Sequence, residues 1–299
     1  MLIRAGYEMV FDVPSPTPML LMLALRPERE GSVRRPGGMR LEPEVPVDRF
    51  LDGFGNRCAR IVAPGGRLTI WDDLVVEDSG APDEQAPGAE QIPVQDLPVG
   101  VLTYLLGSRY CEVERLSDIA WSLFGQSPTG WGRVQAVCSW VNRHVEFGYH
   151  HARPTKTAWD VYTEGNGVCR DFTQLAITFC RCLNIPARYA TGYLGDIGVP
   201  PAPHPMDFSG WFEAYLGGRW YTFDARHNMP RIGRILMGHG RDAVDVALTT
   251  SFGTAVLSGF TVWTDTVGPE ALAAPMGKPE QPGQSAGGEA RHLSGGGGR

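Results

Sequence analysis

The stretch "GNGVCRDFTQLAITFC", residues 165–180, sets a cysteine where chemistry is possible. Gly165 and Gly167 allow a tight turn, and Phe172, Leu175, Ala176, Phe179, Cys180 and Leu183 then recur at helical spacing. Cys169 stands in the first turn of that helix, where unpaired N–H groups and the positive end of the helix dipole favour a thiolate. Such settings lower a cysteine pKa from ~8.5 into the range of roughly 3.5–7.5. The chemistry this suits is nucleophilic acyl transfer, with the same N–H groups, that of Cys169 included, holding the oxyanion. The plainer reading is that Cys169 continues the stripe of Phe172 and Ala176 and packs as a small apolar residue. Cys180 and Cys182, deeper in or beside the same helix, take the plainer reading.

A nucleophile needs a base, and a later stretch can present one. "SGWFEAYLGGRWYTFDARHN", residues 209–228, reads as a β-hairpin turning at Gly217-Gly218. Counting back from the turn, Leu216 pairs with Arg219, Trp211 with Asp224 and Ser209 with Arg226. Positions 209, 211, 224 and 226 then share a face, and 209 and 224 are diagonal neighbours. That geometry suits a histidine at 209 oriented by Asp224 and aimed at a thiol on an adjoining helix. Asp224 also has a simpler role open to it, capping the turn that follows its strand.

The elements that must position these groups are legible. Asn184-Ile185-Pro186 stops the cysteine helix, because the residue before proline avoids the helical region. Val134, Val137, Cys138 and Val141 mark one face of another helix. Strands are expected in "ARYATGYLG", "WFEAYL" and "RWYTFD". Residues 1–98 read as β-structure: "MLLMLAL" is a short apolar run, and residues 50–77 break into apolar pieces punctuated by Gly53, Gly55, Asn56 and Gly65-Gly66. A polar, proline-rich linker follows, and helical patterning begins near residue 99. Beyond Thr266 the chain is rich in Gly, Pro and Ala, so residues 267–299 are expected to be a disordered tail. "MGHGRDA" holds Gly238 and Gly240 ahead of a possible helix, too little for a phosphate site.

Bulk properties narrow the classes. The net charge is −6, with no basic block, which argues against a nucleic-acid partner. The six cysteines show no CxxC pair and no framework spacing, so reduced thiols and a cytoplasmic address are expected, without structural zinc. The apolar run near the start lacks the basic and small-residue flanks of a secretory signal, and no run approaches the ~20 apolar residues of a membrane span. His150-His151 has no accompanying metal-ligand spacing, and neither a metal nor a cofactor is expected.

The glycine turn with "GVCRDF", then "NIPARYATGYL", then a W-F-E strand and a W-Y-T-F-D return strand, together resemble the transglutaminase-like superfamily. The chain is most similar to its bacterial cysteine-protease branch, in which a β-rich domain precedes the core. "FDARHNMPRIGR" and "GRDAVDVALTTSFG" look like signature stretches of that branch, and the resemblance runs over residues 1–266. It implies an α+β fold: a papain-like core at 99–266, with a cysteine helix packed on an antiparallel sheet, behind a β-rich domain at 1–98. It also implies a Cys-His-Asp triad, with Cys169 as nucleophile and Asp224 as orienting carboxylate. The family's histidine stands two residues before the strand tryptophan, and here that position is Ser209, whose hydroxyl is too weakly basic to replace it.

His204, in the proline-bounded loop entering the same strand, is the first substitute. His227 points to the opposite face by strand parity unless the strand has ended. His144, His150 and His151 cluster at the end of an earlier helix. Arg226 could fill the vacated space and pair with Asp224. The leading expectation is hydrolysis of a peptide or small amide through a Cys169 thioester, ahead of transfer to an amine. The alternative is a non-catalytic fold that binds peptide or protein in the same cleft.

Overall fold

Long strands with buried faces build the first third of the chain. The structure, a computed structural model, describes residues 1–275 and 277. The strands there are β1 (Leu2–Val13), β2 (Thr17–Leu21), β3 (Val33–Arg35), β4 (Arg40–Glu42), β5 (Asp48–Leu51), β6 (Arg57–Ala63) and β7 (Gly66–Glu77). A helical section follows, with α1 (Val113–Phe124), α2 (Trp131–His144), the short β8 (Glu146–Phe147), α3 (Ala158–Glu164), β9 (Asn166–Gly167) and α4 (Cys169–Cys182). The chain then returns to strand: β10 (Ala187–Tyr193), β11 (Ser209–Leu216), β12 (Arg219–Phe223), β13 (Ile235–Gly240), β14 (Thr249–Ser251) and β15 (Val256–Val267). The fold is α+β, and the Gly238 region is strand β13, where a helix had been expected to follow.

Two antiparallel sheets carry the N-terminal region. One runs β15-β1-β7-β3, with β4 also on β7; the other runs β14-β2-β6-β5. β1 lies between β7 and β15 and pairs with both along nearly its whole length. Tyr7, Met9, Leu21, Ile61, Leu68 and Ile70 fill the apolar layer they share, and Tyr193, Ile235 and Met237 from the later sheet, with Phe208 just ahead of β11, join the same cluster. The side chain of Asn56 locks the two regions by accepting from the His239 N–H (2.9 Å) and donating to its carbonyl (2.8 Å).

The core is a third antiparallel sheet, ordered β12-β11-β10-β13, with α4 laid against it. All of α4 beyond Arg170 is buried, packed by Val134, Val137 and Val141 of α2 and by Phe212, Ala214 and Leu216 of β11. A helix enclosed on every side can be held only by tertiary packing, so its position is a property of the whole domain. Leu183 ends it, and Asn184 adopts a left-handed φ of 61° before Ile185-Pro186. No described helix is long and apolar enough to cross a membrane. In the expected tail, Pro269–Leu272 forms a 3₁₀ turn, and residues 276 and 278–299 lie outside the described residues.

Candidate active site

Three local devices place Cys169. Gly165 closes α3 in the left-handed conformation, φ 65°. Gly167 must be glycine, since a Cβ there would lie 2.6 Å from that of Asp171. The Asp171 carboxylate accepts the Val168 N–H at 2.9 Å, which closes the first turn of α4 and leaves Cys169 as its first residue. The helix is tied to the sheet by Thr173, whose hydroxyl lies 2.9 Å from the carbonyl of Cys169 and 3.1 Å from that of Gly210.

The start of α4 therefore meets strand β11 at Gly210, whose N–H favours the thiolate form of Cys169. Cys169 is half-buried, while Cys111, Cys138, Cys180 and Cys182 are buried. Burial is the largest influence on the thiol and pushes its pKa up; Arg226 and the Gly210 N–H pull it down, and Asp207 and Asp171 push it up again. The net direction is upward. This corrects the expected ionised thiol: at the start of α4 the loss of water outweighs the pull of Arg226 and of the Gly210 N–H. None of the groups that bear most on the sulfur is a histidine.

The hairpin has the register read from its turn, Leu216 opposite Arg219 through Phe212 opposite Phe223. The ladder ends there. Asp224 begins a turn, so the expected pairings of Trp211 with Asp224 and of Ser209 with Arg226 are not formed. One oxygen of Asp224 accepts the N–H groups of Arg226 and His227, both at 3.0 Å. The other meets His227 Nδ1 at 2.9 Å and Arg234 Nη2 at 2.9 Å. Burial raises the carboxyl pKa, but Arg234 and His227 more than reverse this and hold it far below the usual range. Arg234 also binds Asp83 and lies over the Trp211 ring at 4.9 Å, which fits Trp211 and Asp224 sharing a face. Asp224 is thus engaged in capping the turn and in an ion pair.

Ser209 is 6% exposed, and among the described residues its hydroxyl has no hydrogen-bond partner. His204 is exposed and packs on two rings, Phe147 at 6.0 Å and Tyr149 at 5.6 Å. Arg226 lies over the same Phe147 ring, 3.8 Å from its centroid, and not on Asp224 as had been considered. His204 and the thiol therefore share a neighbourhood through Phe147 and Arg226. His227 meets Asp224 because the strand has ended. His144 is held by the Tyr162 carbonyl (2.7 Å) and stacked on Trp140. Phe147 is a site residue that sequence reasoning missed, although its place ahead of the glycine turn is visible in the chain. Its pairing with Gly167 through β8 and β9, two residues before Cys169, is what brings it to the site. Among the described residues no group of three or more His, Cys, Asp or Glu could hold a metal ion.

Comparison with known proteins gives this arrangement a lineage. Residues 119–225, which contain Cys169, Ser209 and Asp224, match the family model of the transglutaminase-like superfamily. The crystal structure described as "a Putative Cysteine Protease from Cytophaga hutchinsonii" is 30% identical, with a TM-score of 0.77 over 89% of this chain and 90% of that one. The chain belongs to the transglutaminase-like superfamily. An uncharacterized protein of Mycobacterium leprae is 29% identical over 118 residues, 38% of this chain; the match spans about two-fifths of that curated relative, 42% of its length. As a transglutaminase-like protein, the chain keeps a cysteine at the head of the buried helix and an aspartate after the return strand, with serine at the strand position between them.

Proposed function

We propose that the protein performs thiol-dependent acyl chemistry on an amide, and that hydrolysis is its outcome. The observation that carries this reading is the placement of Cys169: first residue of its helix, half-buried, at the point where Thr173 ties that helix to Gly210 of strand β11. Being helical at that position, Cys169 has an N–H without an intrahelical acceptor, available to an oxyanion. The thiolate attacks the amide carbonyl to form a tetrahedral adduct. The C–N bond then breaks, the amine leaves with a proton taken from solvent, and a thioester remains. Water adds to the thioester, the C–S bond breaks, and the acid departs as the thiol is restored. The similarity to a protein described as a cysteine protease supports a peptide as substrate, and the six free cysteines support a reducing compartment.

Without a histidine at 209 the thiol ionises unaided. Its raised pKa makes the thiolate scarce at neutral pH, and its fraction grows about tenfold per pH unit until the pKa is reached. Labelling of Cys169 by iodoacetamide, mapped by mass spectrometry, is expected to keep rising past pH 8.5. A plateau below pH 7 would show an activated thiolate and contradict the assignment of burial as the dominant influence.

The decisive test is hydrolysis of a peptide-amide library at pH 8–9. Cys169→Ala is expected to abolish turnover, and activity that survives it would remove Cys169 from the mechanism. A second reading, a cleft that binds peptide without turnover, is favoured by Ser209 and by the commitment of Asp224 to Arg234 and His227. It is supported if peptides shield Cys169 from alkylation while none is cleaved.

A further inference from the structure

A cation that acts on the thiol has no counter-charge among the described residues. Other arginines of the core have fixed partners: Arg170 pairs with Asp171, Arg188 with Glu213, Arg231 with Asp196, and Arg234 with Asp83 and Asp224, while the buried Arg181 donates to main-chain carbonyls. Arg226 has a fixed main chain, its N–H on Asp224 at 3.0 Å and its carbonyl on Asn142 Nδ2 at 2.7 Å. Its guanidinium lies on the Phe147 ring and, among the described residues, has no ion pair or hydrogen bond. A guanidinium stacked on a ring keeps its in-plane N–H donors at its rim, in a fork that matches a carboxylate. The residue is half-buried and close enough to Cys169 to act on its thiol.

Two further observations point to a ligand. Ser209 precedes Gly210, the residue of β11 tied to the first turn of α4 through Thr173, and among the described residues its buried hydroxyl is unpartnered. Phe147, the platform under Arg226, is set by backbone pairing to Gly167, so the cation is held at a fixed place relative to the start of α4. Asp171, the acidic group at the first turn of α4, is already bound to Arg170 and the Val168 N–H.

The geometry points to Arg226 as the substrate-recognition residue of this centre, taking a carboxylate carried by the acyl donor next to the carbonyl that Cys169 attacks. The inference rests on the acyl-centre reading above and narrows its substrates to amides bearing a carboxylate, either a peptide's terminal group or an acidic side chain.

The test uses the full chain and needs no turnover. Cys169 is alkylated with iodoacetate, an anion, and separately with iodoacetamide, its neutral analogue, and the rate ratio is compared with that of N-acetylcysteine. Both reagents consume the same thiolate, so the ratio is indifferent to any effect of Arg226 on thiol acidity. The ratio at Cys169 is expected to exceed the small-thiol ratio by on the order of tenfold, the scale of one charge-assisted hydrogen bond. Arg226→Gln should return it to the small-thiol value, and Arg226→Lys, a point charge without the fork, should keep part of it. Three blocked peptides then compete with iodoacetamide: one with a free C-terminal carboxylate, one amidated with an internal glutamate, and one neutral. Protection by the first assigns a terminal carboxylate, and protection by the second an acidic side chain. A ratio no higher than that of N-acetylcysteine, a ratio unmoved by Arg226→Gln, or protection by the neutral peptide equal to the others overturns the assignment. Loss of the ratio effect with hydrolysis intact would leave the acyl-centre reading standing, and the converse would leave Arg226 as an anion site on a binding cleft.

Discussion

Ser209→His is expected to raise the rate of amide hydrolysis about a hundredfold at pH 7. General-base help is typically worth ~10²–10⁴-fold, and the lower end applies here for a structural reason. A histidine at 209 would stand one residue before Gly210, where β11 meets the start of α4, well placed to take the thiol's proton. The carboxylate that would orient such a ring is Asp224, already occupied by two backbone N–H groups, His227 and Arg234. The new imidazole would therefore lack a fixed tautomer. Its signature should also be visible in the pH profile, with activity extending to lower pH as the imidazole replaces solvent as proton acceptor. A variant that folds as the parent does and shows no gain would count against the placement of position 209 beside the nucleophile.

Asp224→Ala is expected to destabilise the protein by about 3–5 kcal/mol, the cost of leaving a buried charge without its partner. The Asp224 side chain is only 3% exposed, as is expected of a group whose four contacts replace water. Removing it strands the Arg234 guanidinium, half of whose compensation remains in Asp83, and frees the turn that carries Arg226 and His227. Urea denaturation measures the loss. The carboxyl pKa is depressed in the folded state, so its contribution is complete above the unfolded value near pH ~3.9 and is lost progressively as pH falls from there through the much lower folded value. The variant should accordingly lose its stability deficit relative to the parent in acid. A deficit below about 1 kcal/mol at pH 7 would mean that the ion pair is immaterial to folding.

The contrast between these two residues shows what could be read from the chain. The helix beginning at Cys169, its stop at Asn184-Ile185-Pro186 and the register set by Gly217-Gly218 are local matters of spacing and backbone conformation, and they were legible. So was the family, because several motifs agreed. What Asp224 binds was not legible. Arg234 is ten residues away across an irregular turn, and strand parity said nothing about a chain that leaves its strand at Phe223. Nor did the dipole argument foresee the sign of the thiol's shift, since burial beneath strand β11 depends on tertiary packing. Phe147 entered the site only through its pairing with Gly167, a contact between two two-residue strands too short to leave a pattern.

The pairing of Leu2 with Val267, carried along β1 and β15, has a consequence for how the molecule is made. On a ribosome the first strand must wait for nearly the last before its sheet can close, so maturation is governed by contacts of very long sequence separation. Until then the second edge of β1 stays open, and a fragment cut after residue 98 would carry that raw edge permanently, inviting self-association.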